Sequence, residues 1–211
     1  PLKGNDCIVL LPTGAGKSII YQLAGLLMPG VTLVVDPLIS LMEDQVDGLI
    51  QYGIDRAAAI SSAIPTPEES QRLLTGIRRG EFQFVLISPE RLQNPSFRST
   101  LRSLAQISTI NLAVIDEAHC VSEWGHDFRP AYLNLSRNLR EFAKDVDGNA
   151  PQIIALTGTA SRAVLRDMLT ELSIDRNNSD SLIRPASFDR KELNFDIRIS
   201  ERVQDANAIL E

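Results

Sequence analysis

Apolar residues along this chain fall into two patterns: short, near-continuous runs, and longer stretches in which they return every three or four positions. The runs, interrupted only at Thr32 and Gln83, cover residues 7–11, 31–35, 57–60, 82–87, 112–115 and 153–156. Most are rich in β-branched residues and all are short, the pattern of a strand buried on both faces of a parallel sheet. Helical spacing predicts helices over residues 19–28, 38–52, 97–105, 131–143 and 164–172. The second is carried by Leu38, Leu41, Met42, Val46, Leu49 and Ile50, and Gly53 supplies its stop. A further helix begins at Thr66-Pro67-Glu68-Glu69, a capping box with proline at the first helical position, and runs to about Arg79. Strands alternating with helices in this way predict an α/β domain, a mostly parallel sheet with helices on both faces.

After Ile174 the pattern loosens. Leu193, Phe195, Ile197 and Ile199 alternate as in one exposed edge strand, and residues 201–211 resemble the opening of a helix. The chain begins at Pro1 with a strand close behind, which reads as a piece of something longer.

Composition narrows the class. A chain of 211 residues with 44% hydrophobic and 23% charged content suits one large α/β domain with a full core. No apolar run has the length to cross a bilayer and no signal peptide is visible, so the expected setting is soluble and intracellular, cytoplasmic or nuclear. Cys7 and Cys120 are the only cysteines, too few for a disulfide framework or a zinc quartet. Cys7 lies in an apolar run and reads as a small core residue. A net charge of −6 argues against a uniformly basic nucleic-acid surface, though backbone amides and a few arginines can still hold phosphates locally.

Two motifs carry chemistry. The first strand runs into Pro12, Thr13, Gly14, Ala15, Gly16, Lys17 and Ser18, and then into a helix. Glycines here allow positive φ and turn successive N–H groups inward, toward a phosphate at the helix N-terminus. Lys17 would reach the β- and γ-phosphates of ATP and the Ser18 hydroxyl would ligate Mg²⁺. The usual G-x-x-x-x-G-K-[ST] spacing has Leu11, not glycine, at its first position. Roughly a hundred residues on, the run at 112–115 ends in Asp116 and Glu117, where open α/β sheets bind ligands. Asp116 would hold Mg²⁺ opposite Ser18, and Glu117 would take the proton of an attacking water.

Directly after the acids come His119, Trp124, His126, Phe128 and Arg129. Trp124, the only tryptophan, has two readings: packing under the following helix, or a platform with Phe128 and Arg129 on which nucleic-acid bases stack. His119 and His126 have no partners at zinc spacing. His119 lies two residues beyond Glu117, placed to sense the triphosphate. Arg78 and Arg79 end their helix as dipole complements on a solvated terminus.

Several of these segments resemble superfamily 2 helicases. P-T-G-A-G-K-S at residues 12–18, D-E-A-H at 116–119 and L-T-G-T-A at 156–160 are similar to motifs I, II and III. H-C-V-S-E-W-G-H-D-F-R-P-A-Y, from His119 onward, resembles the aromatic-rich loop of RecQ DNA helicases. Pro37 to Val46 resembles their motif Ia, Ser88 to Leu92 motif Ib, and Ser187-Phe188-Asp189-Arg190 the stretch leading out of the first RecA-like domain. The resemblance covers nearly the whole chain. It implies a RecA-like P-loop domain over residues 1–185, with 186–211 leading toward a second RecA-like domain of the same longer chain.

The activity implied is an ATP-driven 3′-to-5′ DNA-unwinding motor acting on single-stranded or tailed duplex DNA. Motifs Ia and Ib, here Pro37, Ser40, Glu90 and Arg91, would touch the strand. Trp124, His126, Phe128 and Arg129 would couple DNA to hydrolysis, with His119, Thr157 and Thr159 linking the ATP site to the loop. Three departures accompany the resemblance. Asp36 stands where the family has a small polar residue, and an acid near a phosphate backbone would weaken binding. Gly158 replaces an alanine. The segment that reads adenine and the second domain with its arginine finger lie outside these residues, so the 211 residues alone are expected to bind ATP weakly and turn over little. Two other readings stand beside the motor: a translocase in a defence or remodelling protein that does not separate strands, and a nucleotide-gated, non-enzymatic interaction module.

Overall fold

A computed structural model describes residues 4–12, 14–61, 66–124 and 127–185. The strands are β1 (Cys7–Leu10), β2 (Val31–Val35), β3 (Ala57–Ile60), β4 (Phe84–Ile87), β5 (Ile110–Ile115), β6 (Gln152–Thr157) and β7 (Leu182–Ile183). The helices are α1 (Lys17–Leu27), α2 (Ile39–Gln51), α3 (Pro67–Arg78), α4 (Pro95–Ala105), α5 (Leu135–Phe142) and α6 (Arg162–Glu171). The strands form one sheet in the order β3-β4-β2-β5-β6-β1-β7, and every neighbouring pair is parallel. The expected α/β architecture is thus present.

Successive strand residues feed opposite faces, as a period of two requires. Cys7, Val9 and Val34 pack with Tyr21, Ala24, Met42 and Leu49 of α1 and α2. Ile8, Leu33 and Val35 pack with Ile77, Phe97, Leu101, Leu139 and Met168 of α3 to α6. Because both faces are covered, the strands are mostly apolar, which is why they read as near-continuous runs. Cys7 is a core residue, 1% exposed.

Local signals set the helix ends. Thr66 Oγ1 accepts from Glu69 N at 3.2 Å and opens α3. Asn94 Oδ1 accepts from Ser96 N at 2.9 Å, so α4 starts at Pro95, two residues before the apolar spacing begins. Gly53, at φ 81°, ends α2. Arg78 Nε donates to Thr100 Oγ1 at 3.2 Å, so this arginine joins α3 to α4 instead of ending in solvent.

Two expectations need correction. The helix expected over 131–143 is two pieces, a 3₁₀ turn at Pro130–Tyr132 and then α5. Asn134 breaks it at φ 60°, in the left-handed region that asparagine tolerates. The break follows from Tyr132, which is buried with its hydroxyl donating to Asp116 O at 3.0 Å and so cannot follow a continuous helix axis. At the other end of the chain, β7 adds a strand at residues 182–183 that two residues are too few to announce. The edge strand expected at 193–199 and the helix opening at 201–211 lie outside the described residues.

α1 crosses β2 and β4 at Gly25, where a Cβ would collide with Thr32 Oγ1 and come within 2.8 Å of Phe84 Cε1. Overpacking of this kind costs about 1–3 kcal/mol, against roughly 1 kcal/mol that alanine gains in helix propensity. Gly25→Ala should therefore lower the urea midpoint of unfolding; a midpoint equal to or above the parent's would show that α1 can lift from the sheet without loss.

Candidate functional site

The carboxyl ends of four central strands deliver the motif residues to one edge. Leu11 N donates to Thr157 O at 3.1 Å, Asp116 N to Val35 O at 2.8 Å and Asp36 N to Ile87 O at 3.0 Å. These ladder bonds extend the parallel registry one residue beyond the strands. They place the phosphate loop beside Thr157, and Asp116 beside the turn that follows β2.

The loop after β1 has the shape its glycines predict. Gly14 and Gly16 sit at φ 81° and 78°, and Ala15 N donates to Pro12 O at 3.1 Å. Gly16 caps α1 without a side-chain hydrogen bond, so the first N–H groups of the helix are left for a ligand. Lys17 and Ser18 are half-buried on the first turn. Thr13 lies outside the described residues.

Asp116 is 3% exposed. Its Oδ1 accepts from Glu117 N at 2.8 Å. Burial raises its carboxyl above the usual range, partly offset by that N–H. Glu117 has φ 44°, a left-handed conformation uncommon outside glycine and held here by the residues around it. Its carboxylate is drawn below the ordinary value, first by its hydrogen bond with His119.

His119 is the hub of the site. Nδ1 lies 3.2 Å from Glu117 Oε2 and 3.0 Å from Thr157 Oγ1, and Nε2 lies 3.6 Å from Asp127 Oδ2. Thr157 Oγ1 donates to Thr159 O at 2.9 Å, which leaves its lone pairs to accept from an Nδ1–H. Hydrogen bonds with the Cys120 side chain and then with Glu117 hold the imidazole up to about 10, so it carries a proton at neutral pH. One charged ring thus bridges the D-E-A-H segment, the T-G-T segment and the aromatic loop.

Trp124 is 80% exposed, which removes the reading in which it packs under the following helix. With His119, Asp127, Thr159, Ala160, Ser161 and Val164 it lines a cleft of about 210 Å³. Phe128 and Arg129 are half-buried, and Arg129 Nη1 donates to Pro37 O at 3.2 Å, tying the loop to the turn after β2. The three do not present equal open faces; Trp124 is the freely exposed ring. His126 lies outside the described residues. Ser40 is exposed at the start of α2 and Glu90 is exposed after β4. Arg91 donates to the Ser61 carbonyl, so its guanidinium braces the end of β3.

Asp36 differs from expectation most. It is 0% exposed. Its Oδ1 accepts from Leu38 N at 2.8 Å and its Oδ2 from Gln45 Nε2 at 3.3 Å. An acid facing a phosphate backbone was expected; the carboxyl instead points inward and fixes the turn. Three further contacts escaped the sequence reading. Tyr132 holds the Asp116 carbonyl, and Ser122 Oγ accepts from Trp124 N at 3.2 Å while donating to Asp167 Oδ2 at 2.6 Å. The Tyr132–Asp116 and Ser122–Asp167 contacts join residues 16 and 45 apart in sequence, for which spacing gives no signal.

A glycine loop at a helix N-terminus, two adjacent acids and an aromatic loop share one edge of a parallel α/β sheet. Residues 1–168 match the DEAD/DEAH box helicase family, and the chain belongs to it. It is 43% identical over 186 residues to the probable ATP-dependent DNA helicase RecS of Bacillus subtilis, covering 87% of this chain and 35% of the relative. It is 41% identical over 195 residues to the ATP-dependent DNA helicase RecQ of the same organism, covering 92% and 30%. The chain therefore spans about a third of the length of these curated relatives. Among solved structures, the Pyrococcus furiosus Hef helicase domain superposes with a TM-score of 0.63 at 19% identity, over 87% of this chain and 36% of that one, which shows the shared fold. Membership of an ATP-dependent helicase family implies nucleotide use. Among the described residues, no helix is long and apolar enough to cross a membrane.

Asp36 gives a pH test. Burial, partly offset by the Leu38 N–H and aided by the charges of Asp116 and Glu117, pushes its carboxyl from 3.8 up to about 7. Between those values the folded chain keeps a proton that the unfolded chain releases. The contribution of this carboxyl to stability is therefore complete below about 3.8 and lost as pH rises to about 7. Asp36→Asn, which does not titrate, should gain on the parent through that interval and level off above it. Urea denaturation across pH checks this, and a constant difference would mean that Asp36 is ionised throughout.

Proposed function

We propose that this chain is the nucleotide-binding RecA-like domain, residues 1–185, of a RecQ-like 3′-to-5′ DNA helicase that couples Mg-ATP hydrolysis to movement along and separation of DNA strands. Residues 186–211 lead toward a second RecA-like domain of the same chain. The single observation that carries the reading is the His119 hub, which joins Glu117, Thr157 and the Trp124 loop in one contact network. A nucleotide-gated module without chemistry has no use for an acid oriented in this way. That the relatives are named DNA helicases favours strand separation over translocation alone.

In this reading the Gly14–Ala15–Gly16 backbone and the open N-terminus of α1 hold the phosphates, with Lys17 at the β- and γ-groups. Mg²⁺ fits the residues present: Ser18 and Asp116 offer one hydroxyl and one carboxylate, and among the described residues no cluster of three or more acidic, histidine or cysteine ligands exists. Magnesium is held by one or two carboxylates plus substrate phosphates and water rather than by an all-protein cage. When bound, it neutralises charge on the phosphates. Glu117, ionised at neutral pH, accepts the proton of the attacking water, and His119 fixes the orientation of its carboxylate. On the DNA side, Trp124 offers a face for base stacking, and Pro37, Ser40, Glu90 and Arg91 border the strand.

Two variants of the full-length parent test this. Glu117→Gln should lower kcat by about 10²–10⁴-fold while ATP still binds. Trp124→Ala should retain the basal ATPase rate and lose its stimulation by single-stranded DNA. A wild-type rate indifferent to DNA would leave the nucleotide site standing and remove the helicase reading.

A further inference from the structure

Behind the phosphate loop runs a chain of buried polar side chains that the hydrolytic reading does not use. Tyr21 lies one turn into α1, is 0% exposed, and its hydroxyl donates to Gln45 Oε1 on α2. Gln45, 8% exposed, passes the contact on through Nε2 to Asp36 Oδ2 at 3.3 Å. The other oxygen of Asp36 holds Leu38 N at 2.8 Å. From the far side, Arg129 Nη1 grips Pro37 O at 3.2 Å. The turn at residues 36–38 is thus clasped by the nucleotide helix on one side and by the aromatic loop on the other.

We propose that Asp36, with Gln45 and Tyr21, is a positioning relay that ties the helix carrying Lys17 and Ser18 to the 36–38 turn, making that turn's hold on DNA depend on bound nucleotide. The inference rests on the nucleotide and DNA sites proposed above. A carboxyl or amide end is needed because one side chain serves two partners with two polar atoms. The hydroxyl of a small polar residue could cap Leu38 N, but its single oxygen could not also hold Gln45. Buried polar groups that lose a partner bear a full desolvation cost, so displacement of Tyr21 when phosphates draw in α1 is felt at Asp36. All three side chains are almost wholly buried, which leaves the relay little room to rearrange.

The test uses the full-length parent and its Asp36→Ser and Asp36→Asn variants. The affinity of a labelled single-stranded oligonucleotide is measured with and without a non-hydrolysable ATP analogue, and the affinity of the analogue with and without the oligonucleotide. Linkage requires the two ratios to agree. In the parent each ligand should change the affinity of the other by about fivefold or more. Asp36→Ser should bring both ratios close to one while oligonucleotide affinity without nucleotide stays within about twofold, a split that a merely structural role would not produce. Asp36→Asn, whose amide can serve both partners once Gln45 rotates, should keep the coupling. Retained coupling in Asp36→Ser, or equal loss in the serine and asparagine variants, overturns the relay. Should Asp36→Ser not fold, Tyr21→Phe takes its place with the same expectation, and retained coupling there overturns it equally. A parent that binds neither ligand contradicts the proposed function itself; a parent that binds both without coupling contradicts only the relay.

Discussion

Everything at the working edge depends on the parallel hydrogen-bond ladder continuing one residue past the strands. Leu11, Asp36 and Asp116 each donate a backbone N–H to the neighbouring strand at 2.8–3.1 Å, and the side chains that follow are thereby fixed relative to one another before any side-chain contact forms. Because register in a sheet has a period of two, a slip of one residue would turn Asp116 into the core and bring Ile115 to the edge. The apolar faces prevent that slip: Ile115 and Val35 are packed among α3 to α6, while Val34 and Val114 face α1 and α2. Core packing thus selects the register, and the register places the acids.

On that frame the segment after Asp116 does what regular structure could not. A helix starting at once would carry Glu117 and His119 away along its axis. Instead Glu117 takes a left-handed conformation and the chain enters a short 3₁₀ turn, Ala118–Val121, whose buried residues Ala118, Cys120 and Val121 anchor it to the core. His119 is left facing both Glu117 and Thr157. Tyr132 closes the excursion by returning its hydroxyl to the Asp116 carbonyl. Trp124 is left exposed between these two anchored ends.

The strands and the phosphate loop were legible in sequence because their causes are local. Near-continuous β-branched runs mark doubly covered strands, and glycines at 14 and 16 mark positive φ, which both residues adopt. D-E-A-H was legible for the same reason, as an acid pair after an apolar run. Asp36 was misread because burial is a property of the assembled sheet. Its neighbours in sequence, Val35 and Pro37, give no hint that Gln45 will come within hydrogen-bonding distance once α2 folds back. The break at Asn134 was missed because periodicity continues across it, and its cause lies in the contact from Tyr132 to Asp116. Ser122 and Asp167 are likewise joined only by the packing of α6 on the turn after β5. Contacts at long sequence separation leave no mark in periodicity or spacing.

Charge explains why these contacts matter at the nucleotide edge. Three carboxyls, Asp36, Asp116 and Glu117, lie close enough to raise or oppose one another's ionisation, and a triphosphate would bring further negative charge to the same place. Lys17 and the His119 imidazolium are the side-chain cations that act directly on the acid pair. The protein therefore meets the charge by other means. Burial keeps Asp36 protonated toward neutral pH, so that it acts as a hydrogen-bonding group more than as an anion. The Glu117 N–H is turned onto Asp116, and Gly16 caps α1 with no side chain, leaving the first N–H groups of that helix to a ligand. What charge remains on Asp116 has most reason to be there when a divalent cation accompanies the phosphates, since a buried carboxylate is costly alone and favourable beside a metal. The protonated His119 links Glu117 to Thr157 and to Asp127 of the aromatic loop.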